Sequence, residues 1–116
     1  MSPLILFERS DAWDSKFALR TIKYQSSVIS NICDYELIGK EVRNGDHIIS
    51  ISREYFLEEL IGHSEARNIL QASSMLNLVG NRIIKLAIEM RLAKEMTVRN
   101  IQGIPFLMVF KFRHFD

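Results

Sequence analysis

The sequence predicts a single α+β domain, in which a mostly antiparallel sheet with a C-terminal central strand packs against two or three helices. Three observations support this fold class. Two strand-like runs open the domain at 17–24 and 27–33, helical periodicity covers much of 53–90, and an apolar strand-like run closes the chain. Strands followed by helices and then by a last strand are typical of α+β folds and not of a repeated βαβ unit.

Length and composition indicate an ordinary globular domain. The chain has 116 residues, of which 47% are hydrophobic and 25% charged, and its net charge is +1. This charge argues against a domain-wide electrostatic footprint for nucleic acid or an anionic membrane, while a local basic face stays open. The single cysteine excludes an internal disulfide and a cysteine-based zinc site, so we expect a reducing, cytoplasmic location.

Residues 1–16 are expected to form an N-terminal arm attached to a domain that spans 17–116. The arm contains a four-residue apolar run at 4–7, which charged residues follow at once. Such a run is too short for a signal peptide or a membrane span, so we expect no membrane association. Trp13 lies in the arm, where a packing role and an interface role both stay open.

Turn and cap residues divide the first half of the chain. Gln25-Ser26 and Asn44-Gly45 each predict a β-hairpin, the second more strongly because both of its residues tolerate positive φ. Ser52 and Ser64 predict the N-caps of helices at 53–61 and from 65 to about 76. Asp34 is expected to cap a short helical turn that follows it directly.

The most regular helix is predicted to open at Asn77-Leu78-Val79-Gly80-Asn81-Arg82, which we call the NLVGNR box, and to reach Met90. Apolar residues recur with helical spacing from Val79 onward, and Asn77 fits an N-cap. A glycine inside a helix is destabilising, so Gly80 needs a reason. Close packing is the favoured reason, and a backbone N–H offered to a phosphate beside Arg82 is the alternative.

The last predicted strand follows an interruption at Gly103-Ile104-Pro105. Apolar side chains at 106–110 point to both sides, which predicts a central strand that is covered front and back, either by the domain itself or by a dimer partner.

No pattern in the sequence predicts catalysis, a cofactor or a metal site. The three histidines lack the spacing of metal ligands, and the phosphate-loop, dinucleotide and nucleophile-elbow motifs are absent from the sequence. Cys33 is interpreted as a small buried hydrophobe, with an activated thiol as the alternative.

A local basic surface is therefore the remaining candidate site. If its regions converge, it would contact phosphate or ribose, with Tyr24, Tyr35 or Phe106 as a stacking surface. Ordinary solubilising charge, offset by 14 acidic residues, is the alternative that the small net charge favours. The candidate binding residues are Lys40, Arg43, Asn77, Gly80, Asn81, Arg82, Lys85, Arg99 and Gly103.

The order of these motifs resembles a small archaeal family known as domain of unknown function 424. The similarity covers about residues 17–113, and it rests on Cys33-Asp34, 36–40, 44–46, the NLVGNR box and the turn at 103–105. It implies an archaeal cytoplasmic protein without an established activity, and families of this kind are often encoded near translation and ribosome-assembly genes. Phe106 stands where the family leads us to expect a histidine, so a catalytic role for that histidine would be missing here.

Three hypotheses follow, in order of preference. The first is a non-catalytic binding or adaptor domain of the translation machinery, which contacts RNA or a ribosomal protein through the basic surface. The second is an enzyme that acts on a phosphorylated or nucleotide substrate, which requires a deep pocket with convergent polar groups near Gly80 and Gly103. The third is a structural homodimer or assembly subunit with an apolar interface made by the arm or the last strand.

Overall fold

Eight strands and three α-helices build the domain from residues 16–111, which are the residues that the computed structural model describes. The strands are β1 (Phe17–Tyr24), β2 (Ser27–Asp34), β3 (Glu41–Asn44), β4 (His47–Ser50), β5 (Glu59–Ile61), β6 (Met75–Val79), β7 (Arg99–Ile101) and β8 (Ile104–Phe110). The helices are α1 (Arg53–Phe56), α2 (His63–Ala72) and α3 (Asn81–Glu89). The predicted α+β class is confirmed. The predicted arm and Trp13 lie outside the described residues, apart from Lys16.

Six of the strands form one sheet in the order β5-β1-β2-β6-β8-β7, and β3 and β4 form a separate hairpin. Neighbours in the large sheet are antiparallel except β2 and β6, which run parallel. Both predicted hairpins are confirmed, since Tyr24 lies opposite Ser27 and Asn44 lies opposite His47. The C-terminal strand β8 lies between β6 and β7, inside the sheet as predicted.

The two faces of the large sheet are covered differently. We call the first the helix face, because α2 and α3 pack on it and bury the side chains of Leu19, Ile32, Leu78 and Leu107 in the main core. Strand side chains alternate between faces, so the neighbours of these residues point to the opposite side. We call that side the open face. Near the ends of the strands it carries a smaller core, made by Ala18, Cys33 and Val79 from the sheet with Ile51 and Phe56 above them.

The rest of the open face is not covered within residues 16–111. Met108 and Phe110 on β8 point to this side and are 56% and 54% exposed. Within the described part of a single chain, the expected cover of the last strand is missing at these two residues, because α1 and the β3–β4 hairpin cover only one end of the face, and cover by a dimer partner stays a prediction.

The NLVGNR box forms a strand, a turn and the start of a helix, which corrects the prediction of one continuous helix. Asn77 to Val79 belong to β6, and α3 begins only at Asn81. The reason is tertiary pairing: β6 lies between β2 and β8, which give its backbone partners on both sides. Gly80 ends the strand at φ +117°, a conformation that disfavours any residue with a Cβ. Asn77 is therefore not an N-cap.

Two further helices are shorter than predicted, for the same reason. The helix after Ser52 ends at Phe56, and residues 59–61 pair with β1 as β5. The next helix begins at His63 after Gly62, and it ends at Ala72, before β6. Ser52 does cap α1 as predicted, since its hydroxyl accepts a hydrogen bond from Tyr55 N at 3.3 Å.

Asp34 caps α3, and not the turn that follows it in sequence. Its carboxylate accepts hydrogen bonds from Arg82 N and Ile83 N, each at 2.9 Å, from a position 48 and 49 residues earlier in the chain. The turn at Tyr35–Leu37 receives no side-chain cap. A carboxylate at a helix N-terminus satisfies donors that lack an intrahelical partner and interacts favourably with the helix dipole. Burial raises the pKa of Asp34, and the two backbone donors oppose that rise.

Gly80 makes room for this carboxylate. A Cβ at position 80 would overlap the Asp34 carboxyl group, and the Gly80 N–H already donates to Pro105 O at 3.0 Å. The close-packing interpretation of Gly80 is confirmed, and its N–H is not available to a phosphate.

Arg82 connects α3 to the start of the domain. Its guanidinium donates to both oxygens of Glu36, at 3.0 and 2.6 Å, and to Lys16 O at 2.7 Å. It also lies 4.7 Å from the centroid of the Phe17 ring. This contact geometry is that of a planar, bidentate arginine site, in which lysine is a poor substitute.

Gly80→Ala should destabilise the fold by roughly 2–4 kcal/mol, because backbone strain adds to the overlap with Asp34. Gly39→Ala is the matched control, since Gly39 also has positive φ, at +95°, but has open space where a Cβ would lie. It should lose only about 1–2 kcal/mol from strain. Urea denaturation measures both, and equal losses would contradict the role assigned to Asp34.

Glu36→Gln should lower the melting temperature at neutral pH. The difference in melting temperature between wild type and variant should become smaller as the pH falls. The hydrogen bond from Arg82 lowers the pKa of Glu36 below its ordinary value of 4.5. The pair therefore stabilises the fold above that value and loses its contribution as the pH falls through the lowered pKa. Thermal melts of wild type and variant should converge below pH 4.5. Glu89→Gln, an exposed change on α3, should show no such convergence, and a constant gap for Glu36→Gln would contradict the charge pairing.

Candidate functional site

A groove on the open face is the best-formed candidate site. It has a volume of about 510 Å³ and lies between the large sheet and the layer made by β3, β4 and α1. Its described lining is Asn31, Asn44, Ile49, Ser50, Ile51, Tyr55, Phe56, Asn77, Leu78, Val79, Thr97, Arg99, Ile101, Phe106, Leu107 and Met108. Its size suits a small organic ligand or one unit of a polymer.

Two asparagines on adjacent strands form the polar part of the floor. Asn31 on β2 lies directly opposite Asn77 on β6, and both point to the open face. Asn77 Nδ2 donates to Asn31 Oδ1 at 2.8 Å, and Asn31 Nδ2 donates to Tyr55 O at 3.1 Å. Asn31 is 5% exposed, whereas Asn77 is half-buried. A buried amide is stable only when it is hydrogen-bonded, and this chain of bonds satisfies Asn31.

Apolar side chains make the walls. Phe106 and Met108 rise from β8, Ile49 and Ile51 lie across from them, and Phe56 closes one end. Tyr55 is 62% exposed at the rim, where its ring is accessible to a bound molecule. Aromatic rings and methionine offer a flat or adaptable apolar contact without demanding a hydrogen bond.

The charge among the described residues that line the groove is positive only. Arg99 is the only charged residue among the described residues of the lining, which include no carboxylate, histidine, cysteine or lysine. A neighbouring hollow of about 210 Å³ is lined by both Arg43 and Glu41, and the backbone N–H of Arg43 donates to Gln102 Oε1 at 2.6 Å. The groove therefore favours a ligand that is neutral or negative near Arg99.

The structure divides the predicted basic surface between two sides of the sheet. Arg99 lies opposite Phe106 and shares the open face, and the Gly103 turn lies beside Arg43 through Gln102. Lys85 is exposed on α3, which covers the helix face. The predicted cations therefore do not form one patch, because the helix that carries Lys85 packs on the side away from the groove.

The remaining predicted residues lie around the start of α3 and before β3. Asn81 is exposed as the first residue of α3, and Arg82 is held by Glu36 and Lys16 O. Lys40 is exposed, and its carbonyl accepts a hydrogen bond from Ile51 N at 2.8 Å. Of the predicted set, the groove contains only Asn77 and Arg99 in its lining.

Sequence reasoning missed Asn31 and Tyr55 as site residues. Asn31 carried a usable signal, since it is a polar residue between the apolar Ile29 and Cys33 on one face of the strand. Tyr55 carried none, because it contributes its backbone carbonyl to the floor. Asn77 was predicted for the wrong reason, as a helix cap.

Cys33 is a core residue. It is fully buried, and burial raises the pKa of its thiol to about 12, with the nearby carboxylates of Asp34 and Glu36 adding to the rise. The interpretation as a small buried hydrophobe is confirmed. A thiol with so high a pKa is protonated at neutral pH and is a poor nucleophile.

Metal-binding clusters and membrane spans were also sought within residues 16–111. No group of three or more His, Cys, Asp or Glu side chains there is placed to hold a metal ion. No helix in this range has the length and apolar character needed to cross a membrane.

Comparison with known proteins places the chain in a family. The model of a family described as "Protein of unknown function (DUF424)" matches residues 22–112. No protein of curated function matches the chain. The crystal structure of an uncharacterized conserved protein from Methanopyrus kandleri is similar, with a TM-score of 0.71, 18% sequence identity, and coverage of 87% of this chain and 97% of that one. At this identity the likeness establishes the fold alone. Because the family model matches most of the sequence, including the NLVGNR box, the chain belongs to the DUF424 family.

Proposed function

We propose that this domain binds single-stranded RNA and that the groove takes up an unpaired base. The observation that carries the proposal is the amide pair Asn31–Asn77, which offers a hydrogen-bond acceptor to a ligand inside a groove that contains one cation and no carboxylate among its described lining residues.

The orientation of both side-chain amides follows from the backbone carbonyl of Tyr55, with which the chain of hydrogen bonds ends. Tyr55 O is a carbonyl and only accepts, so Asn31 turns its Nδ2 toward it and its Oδ1 toward Asn77. That oxygen also only accepts, so Asn77 gives it an N–H. Asn77 Oδ1 is left with no hydrogen bond from any described residue, and it is not fully buried. A ligand in the groove therefore gains most when it donates a hydrogen bond to this oxygen.

Unpaired bases meet this requirement. Each carries an N–H group on the edge that it uses for base pairing, and that edge is exposed only in single strands, loops and bulges. Phe106 and Met108 supply an apolar surface for the face of the base, and Tyr55 is placed to stack at the rim. Arg99 lines the groove and is available to a phosphate of the bound strand, whereas Arg43 lines the neighbouring hollow together with Glu41.

The groove supports binding better than catalysis. General acid–base chemistry needs a titratable side chain in reach of the reacting atom. The described lining offers no histidine, cysteine, lysine or carboxylate for it, and its one weak acid, Tyr55, lies at the exposed rim. Nothing in this groove therefore favours the enzyme hypothesis over the binding hypothesis.

The proposed ligand agrees with the first hypothesis, that of an adaptor domain of the translation machinery. We further propose that the protein is cytoplasmic and that its RNA ligand is an exposed loop of ribosomal or transfer RNA.

Salt and one surface charge test the RNA ligand. Fluorescence anisotropy with a labelled octauridine should give an affinity that falls as salt rises, because phosphate contacts release counterions. Arg99→Gln should weaken binding about 3- to 10-fold and reduce the slope of log affinity against log salt by about 0.7. Lys85→Gln is the matched control on the other side of the sheet and should bind like wild type. If Lys85→Gln weakened binding and Arg99→Gln did not, the RNA would bind outside the groove.

A methylated base tests the role of Asn77. Octa(N3-methyluridine) keeps the phosphates and the ring of octauridine but lacks the base N–H. It should bind wild type about 3- to 10-fold more weakly, which corresponds to one neutral hydrogen bond. Asn77→Leu should remove the difference between the two probes, once circular dichroism has shown that it folds. Equal binding of both probes to wild type would contradict the amide contact while leaving RNA binding intact.

A further inference from the structure

One wall of the groove belongs to the β3–β4 hairpin, which is a separate sheet and not part of the large one. The hairpin contributes Asn44, Ile49 and Ser50 to the lining. Strand β7, which lies beside β3, contributes Arg99 and Ile101. The width of the groove at this end therefore depends on where the hairpin lies relative to β7.

A single hydrogen bond joins the hairpin residues 41–50 to the rest of the domain, among the hydrogen bonds between described residues. Arg43 N is its donor and Gln102 Oε1 its acceptor, at 2.6 Å. Apolar packing also holds the hairpin, since Val42 is 4% exposed. Such packing is non-directional, so the hydrogen bond is the contact that fixes the position of the hairpin alongside β7.

Gln102 has a backbone conformation that glutamine rarely adopts. It forms the two-residue turn between β7 and β8 together with Gly103, and their φ angles are +50° and +86°. In a turn of this kind asparagine followed by glycine is the favoured pair, because asparagine tolerates positive φ better than most residues with a Cβ. The turn itself therefore does not explain a glutamine at 102. The glutamine side chain is one methylene longer than that of asparagine, and its Oε1 reaches Arg43 N.

We infer that Gln102 is a positioning residue, which holds the hairpin at a fixed distance from β7 and so keeps the groove at one width. We call its hydrogen bond to Arg43 N the Gln102 latch. The statement that the latch positions the hairpin concerns the free domain. The statement that this position matters for RNA rests on the proposed function.

A wall that is held in position raises affinity without contacting the ligand. With the latch in place, Asn44 and Ile49 stay where they line the groove. Without it the hairpin samples other positions, and only the fraction of molecules in which the groove is formed binds a ligand. If that fraction falls to between about a tenth and a third, the apparent affinity falls about 3- to 10-fold. Since no phosphate contact is removed, the salt dependence of binding stays that of wild type.

Gln25 provides the matched control. It is a second glutamine with positive φ, at +56°, in the turn between β1 and β2. Its side chain is exposed and makes no hydrogen bond with any residue that the structure describes. Gln25→Asn therefore makes the same change of side chain at a residue with a similar φ, but it removes no latch.

Amide hydrogen exchange and backbone relaxation of the full chain without ligand test the latch. In Gln102→Asn the Arg43 amide should exchange about 10-fold faster than in wild type, because it loses its acceptor. The amides of residues 41–50 should also become more mobile. Gln25→Asn should change neither observable. Gln102→Glu keeps an oxygen acceptor at the same reach and should preserve the protection of the Arg43 amide. Thermal melts establish that each variant folds.

Binding of labelled octauridine tests the effect on the groove. Gln102→Asn should bind about 3- to 10-fold more weakly than wild type with an unchanged salt slope, whereas Gln25→Asn should bind like wild type. An Arg43 amide that stays protected in Gln102→Asn would overturn the inference, as would a hairpin that keeps its wild-type relaxation.

The two kinds of measurement separate this inference from the proposed function. Wild-type affinity in a Gln102→Asn chain whose hairpin has become mobile would overturn the positioning role while leaving RNA binding intact. If wild type bound no octauridine, the proposed function would fail, and the exchange and relaxation data would still decide whether Gln102 positions the hairpin.

Discussion

The fold depends on one buried carboxylate. Asp34 ends β2 and caps α3, so one carboxyl group that is 2% exposed connects the sheet to the N-terminus of the helix that covers it. This contact dictates its surroundings. Gly80 has no side chain because the carboxyl group occupies that space, and Arg82 brings positive charge and a fork of hydrogen bonds to the neighbouring Glu36. The NLVGNR box is conspicuous in the sequence because it builds this junction, in which the N-terminus of α3 is already occupied by Asp34 and is not free for a phosphate.

The elements that local chemistry determines were predictable. The hairpin at Asn44-Gly45 needs only residues that tolerate its turn, and the cap at Ser52 needs only a hydroxyl before a helix. The helix and strand assignments failed at β5 and β6, whose short apolar runs fit either period. What decides their structure is the strand that lies beside them, and that partner is distant in sequence: β5 pairs with β1, and β6 pairs with β2.

The candidate site could be predicted only in part, because its residues acquire a role through register. Arg99 was chosen for its charge, and it does line the groove. Asn31 and Tyr55 belong to the site only because β2 pairs with β6 and α1 lies over these two strands, which brings Tyr55 O to Asn31 and Asn31 to Asn77. Lys85 was chosen for its positive charge, as Arg99 was, but the helix that carries it covers the other face of the sheet. The sequence shows which residues are charged, but only the arrangement of the strands and helices decides on which face of the sheet each charge lies.

The distance in sequence between Asp34 and the donors it caps also affects how the chain folds. A nine-residue helix such as α3 is too short to persist alone in water. Its cap comes from 48 residues away, at the end of the strand β2 that pairs with β6. Closing so long a loop is entropically costly and slow compared with local helix formation. Helix α3 and the parallel pair β2–β6 should therefore form and open as one cooperative unit, so that the amide hydrogens of Arg82 and Ile83 exchange with solvent only when the centre of the sheet comes apart.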